Sequence, residues 1–246
     1  MQHQYYGNIR TLERKWTSLV NYQENLITYS ESAQHKGLAI CDQFRDWNCG
    51  NAQSCCTHPP RMQGHSSAED AAEPRNCRVG AEMAGFSYIL GLRAMAYMAV
   101  VLGQTSAAVR YSHLASQGTE EFHSFFYNSS VGRYGGDVGA IQSLSLPALQ
   151  IGSAPPSIYP HIVNTVRDDL VALNYTMAVG AVTSKIVFNV LTENGMHESA
   201  LRMAIGTEEP SIGHWWKKWN ATTCFETFPS SNSAASVYLR LHSSQL

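Results

Sequence analysis

The amino-acid sequence predicts an all-α protein built from helical hairpins. Apolar residues recur with the period of a helix over most of the 246 residues. Breaks that contain turn residues separate these runs, for example at Gly152, Asn194 and Pro210. No segment between two breaks alternates apolar and polar residues in the way that is typical of a strand. We therefore expect about eight helices, joined mostly by short loops, and few strands.

The first part of the chain predicts one amphipathic helix and a long irregular segment after it. Residues 12–29 carry apolar side chains near helical period, and Thr11 is the candidate N-cap. Residues 37–80 are rich in Cys, Pro, His, Ser and Gly and show no period. Loops of that length are usually functional or disordered. We take residues 1–246 as one domain that contains this loop.

The next two runs predict an antiparallel helical hairpin. The first run begins at residue 81 and ends at Gly103, and the second runs from the candidate cap Thr105 to about Tyr127. A glycine-rich turn over residues 128–139 then precedes the rest of the helical signal. The methionines fall largely on helical faces, and we expect them to fill the core. The remaining helical runs are residues 140–151, 157–173, 179–194 and 198–206.

Composition argues against several classes of partner. A formal net charge of −2 with 15% charged residues provides no basic stripe for nucleic acid. No apolar run approaches the roughly 20 residues needed to cross a bilayer, and residues 1–10 lack the pattern of a signal peptide, so we expect a soluble chain with no membrane partner. Glycosylation sequons at Asn128, Asn174 and Asn220 suit a secreted parent protein, but the location stays unknown.

The cysteines leave three interpretations open, namely a metal site, a loop disulfide and unpaired thiols. They include no Cys-x-x-Cys pair of the kind that zinc sites use, and we expect no metal. Phosphate-binding and dinucleotide-binding glycine patterns and the Gly-x-Ser-x-Gly motif are also absent from the sequence, so we expect no cofactor. The six cysteines are Cys41, Cys49, Cys55, Cys56, Cys77 and Cys224.

Three groups of motifs follow one another in the second half of the chain. The first is Tyr134-Gly135-Gly136 with Ile141-Gln142-Ser143-Leu144-Ser145-Leu146, and the second is Gly180-Ala181-Val182-Thr183-Ser184-Lys185. The third is Pro210-Ser211-Ile212-Gly213 followed by Ala221-Thr222-Thr223-Cys224-Phe225-Glu226. In this order they resemble the motifs of family 78 α-L-rhamnosidases, and the Ala221 to Glu226 motif is the most specific. Upstream, Arg45-Asp46-Trp47 and Tyr6-Gly7-Asn8 also resemble segments of that family.

The resemblance implies a fold and a reaction. It implies the C-terminal two-thirds of an (α/α)6 six-hairpin barrel, incomplete at its N-terminal side, and inverting hydrolysis of terminal α-L-rhamnose in a glycoside or polysaccharide. The family's general acid lies in a loop upstream of the Tyr6 region, and no match to that loop occurs in this sequence. After the base the family has an Asn-His-x-Met segment, where this chain reads Ser231-Asn232-Ser233-Ala234.

Four residues are the candidate site residues. Inverting glycosidases need a carboxylate that activates water, and the resemblance gives this general-base role to Glu226, which lies near several aromatic residues in the sequence. The alternative for Glu226 is an acid that stabilises a helix N-terminus. Asp46 and Trp47 are the candidate sugar-binding pair, or else a turn former and a core-edge aromatic. Trp215, Trp216 and Trp219 cannot all face one way on a helix, so we expect at least one of them to pack in the core. Trp215 is the candidate stacking residue.

Two other functions remain open at this point. One is a sugar-binding remnant that keeps its aromatic contacts but does not catalyse. The other is a helical interaction protein, although the sequence shows no internal repeat of fixed period. Whether the isolated chain is active, and on which glycan, is not set by the sequence.

Overall fold

The computed structural model describes residues 7–32, 38, 78–134, 141–220 and 222. Within these ranges the chain forms nine helices and one short β-hairpin, which confirms the all-α expectation. The helices are α1 (Arg10–Ser32), α2 (Arg78–Val101), α3 (Thr105–Phe126), α4 (Ile141–Ile151), α5 (Tyr159–Ala172), α6 (Ala181–Ser184), α7 (Val187–Glu193), α8 (His197–Ile205) and α9 (Ile212–Trp219). Strands β1 (Tyr127–Asn128) and β2 (Arg133–Tyr134) pair antiparallel in the turn between α3 and α4.

The caps of the first helices differ from those expected. The side chain of Asn8 accepts a hydrogen bond from the Arg10 backbone N–H at 3.0 Å, so the cap of α1 lies before Thr11. Thr105 is the first residue of α3, and Gln104 is the N-cap without a side-chain bond. Gly103 has a φ of +69° and ends the preceding helix as predicted.

Helix α2 starts earlier and is more apolar than expected. It begins at Arg78, inside the segment 37–80 that was predicted to be a loop, and most of the rest of that segment lies outside the described residues. Its stretch Glu82–Val101 has a mean hydropathy of 1.4, long and apolar enough to pass as a membrane span by composition alone. One face of this stretch, including Ile89, lies in a core shared with α3. The central helix of a helical domain has the same apolar composition as this stretch.

One predicted helix is two helices. The run over residues 179–194 breaks at Lys185 and Ile186, between α6 and α7. The Ile186 N–H bonds to the carbonyl of Thr183 at 3.0 Å, three residues back rather than four. The β-branched residues around this turn have weaker helix propensity than straight-chain residues, which favours the break.

The core is centred on α4. Every residue of this helix except Ile141 and Gln150 is buried, so it is an inner helix covered on all sides. Phe122 and Phe126 of α3 pack against each other with ring centroids 4.7 Å apart and belong to the same core. The predicted role of methionine as core filler is confirmed for Met83, Met95, Met177, Met196 and Met203, all of which are buried.

Arg93 joins three helices near the C-terminal end of α4. Its Nη2 donates to the carbonyl of Ile151 at 2.6 Å and to the Thr119 hydroxyl at 3.2 Å. We expect Arg93→Met to lower the free energy of unfolding by about 1 kcal/mol, because a C-terminal carbonyl loses a charged donor. Urea denaturation measures this loss. Arg167→Met is the control, because the hydrogen bond described for the Arg167 side chain goes to Asn164 on the surface of its own helix. An equal loss of unfolding free energy in both variants would contradict the role given to Arg93.

Candidate active site

The structure locates one of the four candidate site residues. Trp215 lies on α9, whereas Asp46, Trp47 and Glu226 lie outside the described residues. The prediction that these residues share one pocket therefore stays a prediction. Of the three motif groups, the structure describes Tyr134, residues 141–146, residues 180–185 and residues 210–213.

Helix α9 separates its tryptophans. Trp215 is 7% exposed and Trp216 is 56% exposed, so the two side chains face different ways, as the spacing of adjacent residues on a helix requires. The hydroxyl of Ser211 caps the helix by accepting a hydrogen bond from the His214 N–H at 3.0 Å. The buried position of Trp215 satisfies the expectation that at least one tryptophan packs inward. Its contact with a sugar remains a prediction.

Residues of the first motif group bind the backbone segment that precedes Gly180, the start of the second group. Gln142, at the start of α4, is fully buried. Its Oε1 accepts from the Ala178 N–H at 3.1 Å, and its Nε2 donates to the Thr176 carbonyl at 3.3 Å. The neighbouring Ser143 hydroxyl donates to the Ala178 carbonyl at 3.1 Å. Residues 176–178 are therefore fixed against α4, just before the Gly180 motif.

The same segment holds the third motif. The Met177 N–H, between the two backbone groups that Gln142 binds, donates to the Pro210 carbonyl at 2.9 Å. Pro210 opens the Pro-Ser-x-Gly sequence that precedes α9. The three motif groups, which lie tens of residues apart in the sequence, thus meet at residues 176–180.

The loop over residues 206–211 is packed tightly against the first turn of α9. The Ser211 hydroxyl donates to the Gly206 carbonyl at 2.8 Å. Gly213 lies against the same oxygen, and a Cβ at this position would be 2.2 Å from it. A side chain at position 213 is therefore incompatible with the observed loop.

A buried carboxylate, which the sequence analysis missed, lies near the start of α2. Glu82 is fully buried, and so is Thr183 of the second motif, whose hydroxyl contacts the sulfur of Met83 at 3.9 Å. Buried acids are uncommon and are often functional. The available signal was a single charged residue in the otherwise apolar stretch 79–92.

Tyr134 of the first motif is the centre of a polar cluster. Its hydroxyl lies 2.9 Å from His123 Nδ1 and 2.9 Å from the Ser153 hydroxyl. Burial raises the pKa of Tyr134 far above its usual range, and the charge of Glu82 adds to the effect. Burial also lowers the pKa of His123. The cluster fixes the end of the β-hairpin directly before Gly135.

A further acid, Asp169 on α5, also touches the motif region. Its Oδ2 accepts from Gln142 Nε2 at 3.2 Å. Burial raises the pKa of Asp169, while the hydrogen bond from Gln142 and the charge of Arg133 lower it in part. Sequence reasoning missed this contact because 27 residues separate the partners.

An open cavity of about 210 Å³ lies beside the third motif, and its walls include Tyr175, Arg202 and Ser211. Asn174 and Tyr175 have φ values of +49° and +59°, a left-handed conformation that L-residues rarely adopt. The Arg202 guanidinium lies over the Tyr175 ring at 4.9 Å and binds Glu198 at 2.8 Å. These contacts hold the Arg202 side chain at the wall of the cavity.

The described part of the chain contains no cluster of three or more His, Cys, Asp or Glu residues that could hold a metal. The six cysteines lie outside the described residues. Their three interpretations, including a disulfide, therefore stay open.

Comparison with known proteins gives one family. The family described as the bacterial alpha-L-rhamnosidase 6 hairpin glycosidase domain matches residues 1–244. A search of curated protein sequences gave no match.

Solved structures of α-L-rhamnosidases have a similar fold. The enzyme from Dictyoglumus thermophilum superposes with a TM-score of 0.72 at 20% identity, covering 90% of this chain and 22% of that one. The Streptomyces avermitilis enzyme, solved in complex with L-rhamnose, gives 0.70 at 19% identity over 94% and 19%. The native enzyme from Aspergillus terreus gives 0.67 at 15% identity over 90% and 23%. This chain spans only about a fifth of each of these proteins, and the likeness shows the (α/α)6 fold alone.

Proposed function

Because the chain belongs to the family of bacterial α-L-rhamnosidase six-hairpin glycosidase domains, we propose that it is a glycoside hydrolase that releases terminal α-L-rhamnose. The family match over residues 1–244 is the observation that carries the proposal. The L-rhamnose bound to the Streptomyces avermitilis relative supports the choice of sugar. The convergence of the three motif groups at residues 176–180 supports a site built from them.

The proposed reaction is a single displacement with inversion. Glu226 takes a proton from a water molecule, and the water oxygen attacks the anomeric carbon of rhamnose while the bond to the leaving oxygen breaks. The leaving oxygen takes a proton from a general acid, which in inverting enzymes lies about 6.5–9.5 Å from the base. Asp46 accepts hydrogen bonds from sugar hydroxyls, and Trp47 and Trp215 contact the apolar face of the ring.

The resemblance gives the general acid to a segment upstream of the Tyr6 region. The 246 residues assayed by themselves therefore provide the base but no matching acid. A general acid contributes typically about 10²–10⁴-fold to the rate. Leaving groups that are already stable as anions need little of that contribution.

The test compares 4-nitrophenyl α-L-rhamnoside with a rhamnosyl-glucose disaccharide. We expect hydrolysis of the aryl glycoside and a disaccharide rate lower by about 10²-fold or more, relative to the same ratio for a full-length relative. 4-Nitrophenyl β-D-glucoside, which we expect to stay intact, controls for sugar specificity. Equal turnover of the aryl rhamnoside and the disaccharide would mean that another residue supplies the acid.

A second candidate is a protein that binds the sugar without cleaving it. Titration with L-rhamnose, followed by ¹H NMR of the sugar, distinguishes the two. Binding of L-rhamnose with no hydrolysis of the aryl glycoside would establish the sugar-binding protein and overturn the enzyme.

A further inference from the structure

Gln142 uses every hydrogen-bonding atom of its amide. Its Oε1 accepts from the Ala178 N–H, and its two Nε2 protons go to the Thr176 carbonyl and the Asp169 carboxylate. Reversing the amide would place Nε2 against an N–H and Oε1 against two acceptors. The side chain therefore has one acceptable orientation, and its complete burial leaves no water to replace a lost partner.

The two backbone groups that Gln142 binds lie on either side of Met177. Met177 in turn donates to the Pro210 carbonyl at 2.9 Å. Gln142 thereby fixes residues 176–178, and the central N–H of this segment holds the loop of the third motif. No atom of Gln142 needs to reach that loop for this effect.

The third motif passes this constraint to α9. The loop over residues 206–211 is closed by the Ser211–Gly206 bond, and α9 follows from Ile212 without a break. This helix of eight residues ends at Trp219, and its C-cap Asn220 has a φ of +48°. A shift of Pro210 therefore moves a short rigid helix that carries Trp215.

We infer that Gln142 is a positioning residue for the rhamnosidase reaction, acting through residues 176–178 and the Pro210 loop on α9, which carries Trp215 and precedes Glu226 in the sequence. This inference rests on the proposed function for its effect on catalysis, and on the hydrogen bonds alone for its effect on the loop. Displacement of a catalytic group by about 1 Å can cost about 10²-fold in rate.

Gln142→Glu tests the inference with almost no change in shape. A protonated glutamic acid can still accept from Ala178 and donate one proton. An ionised one cannot donate to Thr176 and faces the Asp169 carboxylate.

Arg133 on β2 is the charged residue that acts on Asp169, and Glu82 is buried on α2, which packs against α4. Burial beside an acid raises the pKa of the introduced carboxyl, so the folded state holds the proton longer than the unfolded state. The variant should therefore match the wild type near pH 4 and lose stability as the pH rises.

Hydrogen exchange of the full chain measures how often the backbone of the loop opens. It is recorded at pH 5 and pH 8, corrected for the intrinsic rates and compared with the wild type. We expect faster exchange in Gln142→Glu at pH 8 both at residues 176–180 and at 206–214, with little change at pH 5. We also expect kcat for 4-nitrophenyl α-L-rhamnoside to fall about 10- to 100-fold at pH 8 with KM nearly unchanged. Ser143→Ala, which removes the neighbouring bond to Ala178, should show no such dependence on pH.

Adding Asp169→Asn to Gln142→Glu provides the rescue, because the new amide can donate to the ionised carboxylate introduced at position 142. The double variant should recover part of the exchange protection at pH 8, because the repulsion at Asp169 is removed while the bond to the Thr176 carbonyl stays lost. Faster exchange confined to residues 176–180, with 206–214 unchanged, would overturn the inference, as would a kcat loss equal at both pH values. If the wild type does not hydrolyse the glycoside, the proposed function fails, and the exchange data still decide whether Gln142 holds the loop.

Discussion

Glu226→Gln is expected to reduce hydrolysis of 4-nitrophenyl α-L-rhamnoside to the background rate. Glutamine keeps the size of the side chain but cannot take a proton from water, and loss of a general base costs about 10²–10⁴-fold. The aryl glycoside is the right substrate because its leaving group, 4-nitrophenolate, departs with little help from an acid. The change should appear in kcat, since the sugar contacts assigned to Asp46, Trp47 and Trp215 stay intact.

Glu193→Gln is the matched control for this variant. Glu193 is an exposed residue at the end of α7, so the same chemical change there should leave kcat and KM unchanged. Activity of Glu226→Gln equal to that of the wild type would remove Glu226 from the mechanism. It would leave the alternative that Glu226 stabilises a helix N-terminus.

Gly213→Ala is expected to produce the largest loss of stability among the substitutions considered. The new Cβ would lie 2.2 Å from the backbone oxygen of Gly206, which no rotation of a side chain can relieve. Overpacking of this kind costs about 1–3 kcal/mol, and the loop must open to accept it. Because this loop also receives the Met177 bond and precedes α9, activity should fall with stability.

Gly91→Ala separates the effect of position 213 from that of any glycine replacement. At Gly91 the new Cβ would meet the Oε1 of Gln23 at 2.9 Å, the far end of a flexible side chain that can move. In a helix interior alanine is also more favourable than glycine by about 1 kcal/mol, so the net change in the free energy of unfolding should be small. Chemical denaturation measures both variants. A Gly213→Ala protein as stable as Gly91→Ala would show that the loop is not as tightly packed as described.

Most of the helices could be predicted from the sequence, because their apolar period is a local property. The ends were less predictable, since several polar residues near a helix start can act as its cap. Thr11 and Thr105 were reasonable caps by residue type, yet the chain uses Asn8 and Gln104. The break at Lys185 and Ile186 was missed for a similar reason, because the apolar period continues through it.

Only the residues of the candidate site that belong to sequence motifs could be predicted. The motif order identified Gln142 and Pro210 as parts of family-like segments, but not the backbone groups that connect them. The bond from Ala178 to Gln142 spans 36 residues and depends on how α4 and the segment after α5 pack. Asp169 and Glu82 belong to no motif, and the half-burial of Asp169 and its bond to Gln142 are visible only in the folded chain.

The anomeric configuration of the first product tests the central proposal most directly. ¹H NMR recorded during hydrolysis of 4-nitrophenyl α-L-rhamnoside distinguishes the two anomers of rhamnose before they equilibrate. Inversion by a water molecule that Glu226 activates predicts that β-L-rhamnose forms first and the α-anomer appears only later. Initial formation of α-L-rhamnose would indicate retention through a covalent intermediate and would contradict the mechanism proposed for this chain.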